Sequence, residues 1–492
     1  MSLTLSVDTA RSSLQATSDQ ISVVSRNIAR INDPDATRKI ATVVSGPGVG
    51  VSIPSIDRTA NQLLFNAYLN ANSGNETQTA ISSALDRLQA TVDDTDDERS
   101  PAALMAKLSA ALQTYSGSPQ NSSVAASIVS AAKDVSNALN SASATVTQVR
   151  QQADADIATS VANINNLLSQ FQSLNNQVIK GASGGTDLTD VLDARDAVLK
   201  QLSGEIGIRT ISRDNGGMSI YTDSGVTLFD RVPRQVTFQT TANLSAGGTG
   251  AAVYADGVPV AGTPHVMEIQ SGKLAGLISV RDDVAVTYQS QLDSMAGALI
   301  SAFAETDQSA TPTLPDAAGL FTYSGGPAVP PAGTVVPGLA SAIRVNANVD
   351  PAQGGDAELL RDGGISDPGN PAYTYNPSNA ASYTDRIQEL IANLGATRSF
   401  DPSTQLSSSS SLTDYAKNSV SWLEALRQSA SSEADYRSTV AQRAAASLSQ
   451  ATGVNLDEEM TNLLNLERTF QASSRLISTV DDMFSTLIQA FS

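Results

Sequence analysis

The sequence predicts a mainly α-helical protein with a smaller β region: terminal helices in an α-helical coiled coil, a long-helix bundle domain, and a reduced β-rich outer insertion. Apolar residues recur every seven positions at both ends of the chain and in its longest helical stretch. Aromatic residues make up only 4% of the chain, so Ala, Val, Leu and Ile must build the core between long helices. Alternating strand patterns are confined to the middle of the chain.

The first helix is predicted over 3–31 and carries two apolar rows with a seven-residue repeat. One row contains Val7, Leu14, Ile21 and Ile28. The second row contains Leu3, Ala10, Thr17, Val24 and Ile31. Asn32-Asp33-Pro34 should end this helix, because proline disfavours helical backbone at the residue before it.

The last helix repeats the pattern at the C-terminal end. Its main row contains Leu456, Leu463, Phe470, Ile477, Phe484 and Phe491. Its second row is partly filled, by Leu466, Val480 and Leu487. Asn455 or Asp457 can cap the helix, and acidic residues in its first turn favour the helix dipole. A narrow apolar stripe of this kind requires a partner helix, so we expect the two terminal helices to pack together or against neighbouring copies.

Between the termini, residues 32–56 are predicted to be extended, and seven further helices follow. They are expected at about 58–92, 100–116, 119–180, 187–203, 273–304, 379–394 and 412–450. The longest, at about 1.5 Å per residue, should form a rod of roughly 90 Å. Its seven-residue steps fall on Ile128, Val135, Ala142 and Val149, and then on Ile157, Ile164, Phe171 and Val178.

Strand signals lie at 206–211, 219–221, 226–229 and 235–238, around a turn at Asp214–Gly217. These features divide the chain into three predicted domains. Residues 1–56 with 451–492 form a terminal coiled-coil domain and an extended linker. Residues 57–304 with 379–450 form a helical rod domain with a small antiparallel β unit at about 205–270. Residues 305–378 form an irregular, Gly/Pro-rich insertion, a reduced outer domain.

The composition argues against an enzyme or a metalloprotein. The chain has no cysteine and one histidine, His265, which is expected to lie in a surface loop. The acidic run at 93–98 lacks the glycine and distal glutamate of a calcium loop, and the glycines at 46–50 lack phosphate-loop spacing. A net charge of −19 disfavours nucleic-acid binding. We therefore expect no catalytic, metal-binding or cofactor-binding residues.

Neither a cleavable secretory signal nor a membrane span is expected. The apolar residues near the N-terminus are spaced rather than continuous, and no run of about 18 apolar residues occurs. This pattern leaves two alternatives open: residence in the cytoplasm, or export by a machine that reads the N-terminus without cleaving it.

The two ends also resemble a known family. Residues 14–29, with Ser25-Arg26-Asn27-Ile28-Ala29, resemble the N-terminal signature of flagellar axial proteins, in which Ser-x-Asn-Ile-Ala-Asn precedes a Gly-Tyr-x-Arg turn. Residues 453–460 and 467–477 resemble the matching C-terminal helix. One departure is clear, since Asp35-Ala36-Thr37-Arg38 replaces the Gly-Tyr-x-Arg turn.

Two internal segments resemble the hook-associated proteins of the hook–filament junction. These are Leu192-Asp193-Ala194-Arg195-Asp196 through Ile208, and Ser271–Leu277 with Arg281-Asp282. The resemblance implies a non-enzymatic structural subunit, secreted by flagellar type III export to the extracellular hook–filament junction. It further implies a homo-oligomer in a ring or helical zone. Implied partners are the hook protein, hook-associated protein 3 and a cytoplasmic export chaperone on the C-terminal helix, with no nucleic acid and no membrane.

The expected assembly interface is the two terminal stripes. Its predicted members are Leu3, Val7, Ala10, Leu14, Ile21, Val24, Ile28, Leu456, Leu463, Phe470, Ile477, Val480, Phe484 and Leu487. We expect these ends to be mobile in the free monomer and ordered by neighbouring subunits. Alternatives are another axial protein (hook protein or hook-associated protein 3), a helical adhesin, and stripes that only form intramolecular core.

Overall fold

The computed structural model describes residues 3–46, 50–92, 99–182 and 186–491, without the side chains of 3–5, 487 and 491. The acidic run at 93–98, most of the glycine loop at 46–50, and residues 183–185 after the predicted 119–180 helix lie outside these residues. Within the described residues, no helix combines the length and apolar character that crossing a membrane requires.

The chain termini form a terminal unit, which we define as residues 3–58 with 453–491. It contains helices α1 (Leu3–Ala29) and α12 (Leu456–Phe491) and the antiparallel hairpin of β1 (Lys39–Gly46) and β2 (Gly50–Arg58). Helix α1 packs against both α12 and the hairpin. The predicted pairing of the terminal helices is confirmed, and the extended linker proves to be a hairpin that pairs Lys39 with Arg58.

The helical body contains the remaining long helices. They are α2 (Gln62–Gln89), α3 (Pro101–Ser116), α4 (Ser122–Ala182), α5 (Thr189–Glu205), α6 (Lys273–Ser279), α7 (Ala285–Ala302), α10 (Asp385–Gly395) and α11 (Leu412–Thr452). Helix α4 lies in the middle, against α3, α5, α6 and α7, while α2 packs along α11. Every residue in the predicted seven-residue rows of α4 is buried, so the repeat in α4 marks the core of the body.

The predicted helix over 273–304 is interrupted by a wide π-helical turn at Val280–Val284. The reason is tertiary. The buried guanidinium of Arg281 donates hydrogen bonds to the Asp154 carboxylate (2.7 Å) and the Ala251 carbonyl (2.8 Å). From α4, Arg150 donates to the carbonyl of Arg281 at 2.9 Å and to that of Ser245 at 2.7 Å. These bonds hold the loop around 241–251 on the helices.

The β unit is larger than predicted. One sheet contains β3 (Ile208–Ser212), β4 (Met218–Thr222) and β5 (Thr227–Phe229), and a second contains β6 (Val236–Thr237), β7 (Val253–Ala255) and β8 (Val258–Ala261). The predicted turn at Asp214–Gly217 joins β3 to β4, with Gly216 at φ +79°. Strands β7 and β8 were missed, although Asp256-Gly257 between them is a strong hairpin signal.

Residues 305–378 contain only short elements: β9 (Phe321–Thr322), α8 (Leu339–Ala342), β10 (Arg344–Val345), α9 (Leu359–Asp362) and single 3-10 turns. A last hairpin, β11 (Thr397–Ser399) with β12 (Ser409–Ser411), precedes α11. Buried side chains of the segment, such as Phe321 and Ile343, belong to the same apolar core as α4 and α7. The segment is irregular in backbone yet packs on the body; the predicted domain boundaries stay a prediction.

Candidate functional site: the terminal helices

The apolar contact between α1 and α12 is the predicted site. The two helices are antiparallel, because Asn27 near the end of α1 contacts Glu459 in the first turn of α12. Among the predicted interface residues, three are buried: Ala10, Val24 and Val480. The half-buried members are Val7, Leu14, Ile21, Ile28, Leu463, Phe470, Ile477 and Phe484. Leu456 is 43% exposed, and the side chains of Leu3 and Leu487 lie outside the described residues.

Helix α12 carries further apolar side chains that the sequence analysis did not select. Five are 42–66% exposed: Met460, Leu464, Leu476, Met483 and Ile488. In the seven-residue register, Met460 and Ile488 lie on one side of the row through Leu463, and Leu476 and Met483 lie on the other. A two-stranded coiled coil normally has charged residues at these flanking positions. Helix α12 therefore has a wider apolar face than α1 alone covers.

The buried face of α1 is also wider than the two predicted rows. Ala16 and Val23 are buried at 3% and 5% exposure, although both lie outside the two predicted rows. The hairpin packs on α1 beside α12 and accounts for this extra buried face. Ala16 and Val23 are seven residues apart, so the sequence contained this row. It was not recognised, because alanine is a weak marker of an apolar face.

Asn27 joins three elements of the terminal unit. Its amide donates to the Lys39 carbonyl (2.9 Å) and the Glu459 carboxylate (3.1 Å), and its oxygen accepts from the Lys39 N–H (3.0 Å). Glu459 also accepts from Arg38 Nε at 2.7 Å. We call Asn27, Arg38 and Glu459 the Asn27 cluster. A satisfied buried polar group of this kind fixes the register of packed helices, because any slip would leave it unpaired.

The turn after α1, where the sequence departs from the resembled signature, has its own contacts. Helix α1 ends at Ala29, two residues before its predicted end, because Arg30 folds back onto Asp33, and that hydrogen bond lowers the pKa of Asp33. Asp35 forms an ion pair with Lys200 of the body at 2.8 Å, and Thr37 donates its hydroxyl to Asp193 at 2.5 Å. The residues that differ from the resembled signature therefore connect the terminal unit to the body.

The acidic residues and the single histidine do not form a metal site in the part of the chain that the structure describes. There, no group of three or more histidine, aspartate and glutamate side chains is close enough to hold a metal ion. His265 is half exposed and lies 3.5 Å from Glu268.

Two family models match the chain. The helical domain of the flagellar hook-associated protein FlgK matches residues 75–318, which cover most of the body. The C-terminal model of the flagellar basal body rod proteins FlgEFG matches residues 448–490, which cover the end of α11 and α12. The first match concerns the body and the second the terminal unit, so the two are independent.

Curated relatives agree with these matches. Flagellar hook-associated protein 1 of Bacillus subtilis is 22% identical over 98% of this chain and 97% of its own length. The Salmonella typhimurium protein of the same name is 25% identical over 60% of this chain and 55% of its own.

A solved structure of the flagellar hook junction protein FlgK from Burkholderia pseudomallei aligns with 53% of this chain and 47% of its own. Its TM-score of 0.42 and identity of 20% are too low to strengthen the assignment. The body and α12 each match a flagellar family model, and one relative aligns over nearly its full length. The chain belongs to the family of flagellar hook-associated proteins.

Proposed function

We propose that this protein is a structural subunit of the bacterial flagellum at the hook–filament junction, where it adapts the hook to the filament. The observation that carries the proposal is the apolar face of α12, which α1 covers only in part. Large exposed apolar patches rimmed by polar residues mark interaction surfaces. Neighbouring subunits would bury this face, so assembly supplies stability that a single chain lacks.

The geometry of α12 favours a wall of several helices over a closed pair. Its exposed apolar residues lie on both sides of the row that faces α1, so one additional helix cannot cover them all. Contacts in which one surface meets a different surface of the next copy produce rings or open helical assemblies. A ring or short helical zone of identical subunits fits this requirement.

The specific neighbours are part of the proposal. The family resemblance points to the hook protein on one side of the zone and hook-associated protein 3 on the other. The subunit would reach this extracellular position through the flagellar type III export apparatus.

The same exposed face is the proposed contact of a cytoplasmic export chaperone. Before assembly, exposed Leu464, Leu476 and Ile488 carry an aggregation risk that a bound chaperone would remove. Deleting residues 456–491 should abolish co-purification with the chaperone. Chaperone binding that persists after the deletion would place the contact elsewhere.

Immunogold labelling of intact flagella tests the proposed position. We expect label confined to the boundary between hook and filament. Label along the whole hook would indicate a hook protein, label on the filament side of the boundary would indicate hook-associated protein 3, and label on the cell surface would indicate an adhesin. Each of the last three results would contradict the proposal.

A further inference from the structure

Helix α5 presents a row of carboxylates to the terminal unit. Asp187 precedes the helix, and Asp190, Asp193 and Asp196 follow at three-residue intervals. Each of the four forms an ion pair with a cation of the terminal unit. One arginine pair for each carboxylate is Arg26–Asp187 (2.8 Å), Arg30–Asp190 (2.5 Å), Arg58–Asp193 (3.3 Å) and Arg58–Asp196 (2.7 Å). We call these residues, with Thr37 and Lys39, the charged joint.

Asp193 is the central acceptor of the charged joint. It is buried, at 1% exposure, and accepts from the hydroxyl of Thr37 at 2.5 Å and from its N–H at 3.3 Å. Lys39 Nζ lies 3.8 Å away and also contacts Asp190. Three parts of the terminal unit therefore converge on one carboxylate: the turn at Thr37, the start of β1 at Lys39 and the end of β2 at Arg58.

Lys39 distinguishes the charged joint from ordinary surface ion pairs. Its side chain is almost fully buried, and this burial lowers the pKa of its ammonium group. Exposed ion pairs contribute little to stability, but removing one partner of a buried pair leaves an uncompensated charge and is strongly destabilising. The joint should therefore be sensitive to loss of a single carboxylate.

Two further polar contacts link the terminal unit to the body. Asp35 forms its ion pair with Lys200, and the Arg38 N–H donates to the Thr452 carbonyl at 2.8 Å. Helix α1 packs on α12 and on the hairpin, and the main packing contact of the terminal unit with the body is β2 against α5. Beside the turn at 30–37 lies an open cleft of about 1260 Å³, whose lining includes Tyr68, Lys200 and Leu448 and reaches Arg58 and Asp196 of the charged joint. Because this side is open, apolar packing does not oppose a swing of the terminal unit into the cleft.

We propose that the charged joint fixes the angle at which the terminal unit leaves the helical body, and that Asp193 is its principal positioning residue. Without Asp193, the unit would pivot on its two chain connections, at 59–61 and 453–455. Subunits that share one wall must present their bodies at one angle, so a fixed joint would matter for assembly. The inference itself concerns the monomer and does not depend on the proposed function.

The absence of cysteine makes the angle directly measurable. Cysteines introduced at the exposed positions Ser18 of α1 and Ser169 of α4 would carry spin labels at unique sites. Pulsed electron–electron double resonance on the full-length monomer then gives the distribution of distances between the two labels, one on the terminal unit and one on the body. The parent protein should give one narrow distribution, because the charged joint holds the closed arrangement and the local opening that exposes α1 amides is a minor state.

In Asp193→Asn, we expect the distribution to broaden to roughly twice its width or more. Lys39 and Arg58 would lose the carboxylate charge with which both of them pair. Asp134→Asn, at an exposed carboxylate of α4, is the matched control and should leave the width unchanged. Far-UV circular dichroism and the unfolding midpoint of the body must match the parent protein. An unchanged width in a folded Asp193→Asn variant would overturn the proposal. If that variant does not fold, Lys39→Met is judged by the same criterion.

Discussion

Helices α4 and α12 carry the same kind of seven-residue apolar repeat, but their surroundings differ. Helix α4 buries 23 of its 61 residues. Of the described side chains in the 36-residue α12, only Glu459 and Val480 are buried. The body provides α4 with helices on several sides, whereas α1 is the one helix of the described terminal unit that packs along α12. A heptad row thus indicates that a helix needs partners, and the fold decides whether those partners lie in the same chain.

This difference divides the molecule by its source of stability. The body is complete within one chain, since apolar residues of its helices, β unit and 305–378 segment form one continuous core. The terminal unit has a well-defined polar register at the Asn27 cluster but an incompletely covered apolar face. Four predictions test this division.

The largest effect should come from a charge on the uncovered face. Leu476→Asp should reduce incorporation into flagella by at least about a hundredfold, since neighbouring subunits would bury Leu476, loss of a buried Leu costs about 2–5 kcal/mol, and a charge adds desolvation. The body should unfold at its normal temperature. Incorporation is measured by labelled subunit per flagellum. Ala472→Asp, at an exposed position of the same helix, is the control. Normal incorporation of Leu476→Asp would show that this face is not an interface.

A matched pair of isoleucines compares the two regions in the monomer. Ile157 of α4 is fully buried, and Ile477 of α12 is half-buried. Ile157→Ala should lower the free energy of unfolding by about 2–5 kcal/mol, and Ile477→Ala by about 1 kcal/mol or less. Urea denaturation followed by circular dichroism measures both. Equal losses would mean that the terminal seam is a complete core in the single chain.

The body also buries a carboxylate whose ionisation should make its stability depend on pH. Burial raises the pKa of Asp293 to about 6, against hydrogen bonds from the Ala340 and Gly338 N–H groups and the Gln289 amide. A carboxyl whose folded pKa exceeds its unfolded pKa contributes less stability as pH rises from about 4 to 6, here by up to about 3 kcal/mol.

Asp293→Asn should remove this decline from unfolding free energies measured between pH 4 and 7. A carboxyl-carbon NMR titration of the parent protein gives the pKa directly. A midpoint below 4 would show that the three hydrogen bonds outweigh burial.

The smallest effect should be at the Asn27 cluster. Asn27→Ala removes the donor of the Lys39 carbonyl and one of the two side-chain donors of Glu459, which keeps Arg38; we expect a cost of about 1–3 kcal/mol. The amide of Lys39 should then exchange roughly tenfold to a hundredfold faster, since its acceptor on Asn27 is lost. Gln15→Ala, which removes only an exposed bond to Asp19, is the control. Exchange at Lys39 that matches the control would remove Asn27 from its proposed role in register.

The long helices could be predicted because their periodicity extends over many turns. Their ends were set by contacts of single residues: Arg30 with Asp33 ends α1 early, and Asn455 caps α12 by accepting from the N–H groups of Asp457 and Glu458. Strands β7 and β8 are too short for an alternating pattern to be visible. The π-helical turn depends on bonds between Arg281, Asp154 and Ala251, which no local pattern announces.

The candidate site was predictable to the same extent. The seven-residue rows were visible, and Asn27 lay in the resembled signature. Leu476 and Met483 could have been found by asking why the flanking positions are not charged. The charged joint could not have been predicted from the sequence, although Asp187, Asp190, Asp193 and Asp196 are regularly spaced. Their partners lie more than 130 positions away, on α1 and the hairpin, and only the fold brings the two sets together.

Amide hydrogen exchange on the dilute monomer and on assembled flagella tests the central claim most directly. The account predicts that amides of α1 and α12 exchange roughly a hundredfold faster than those of α4 in the monomer, because local opening of a partly covered helix pair costs little. On assembly, α1 and α12 should become as protected as α4. Protection of α1 and α12 in the monomer equal to that of α4 would contradict the claim that neighbouring subunits complete the terminal unit.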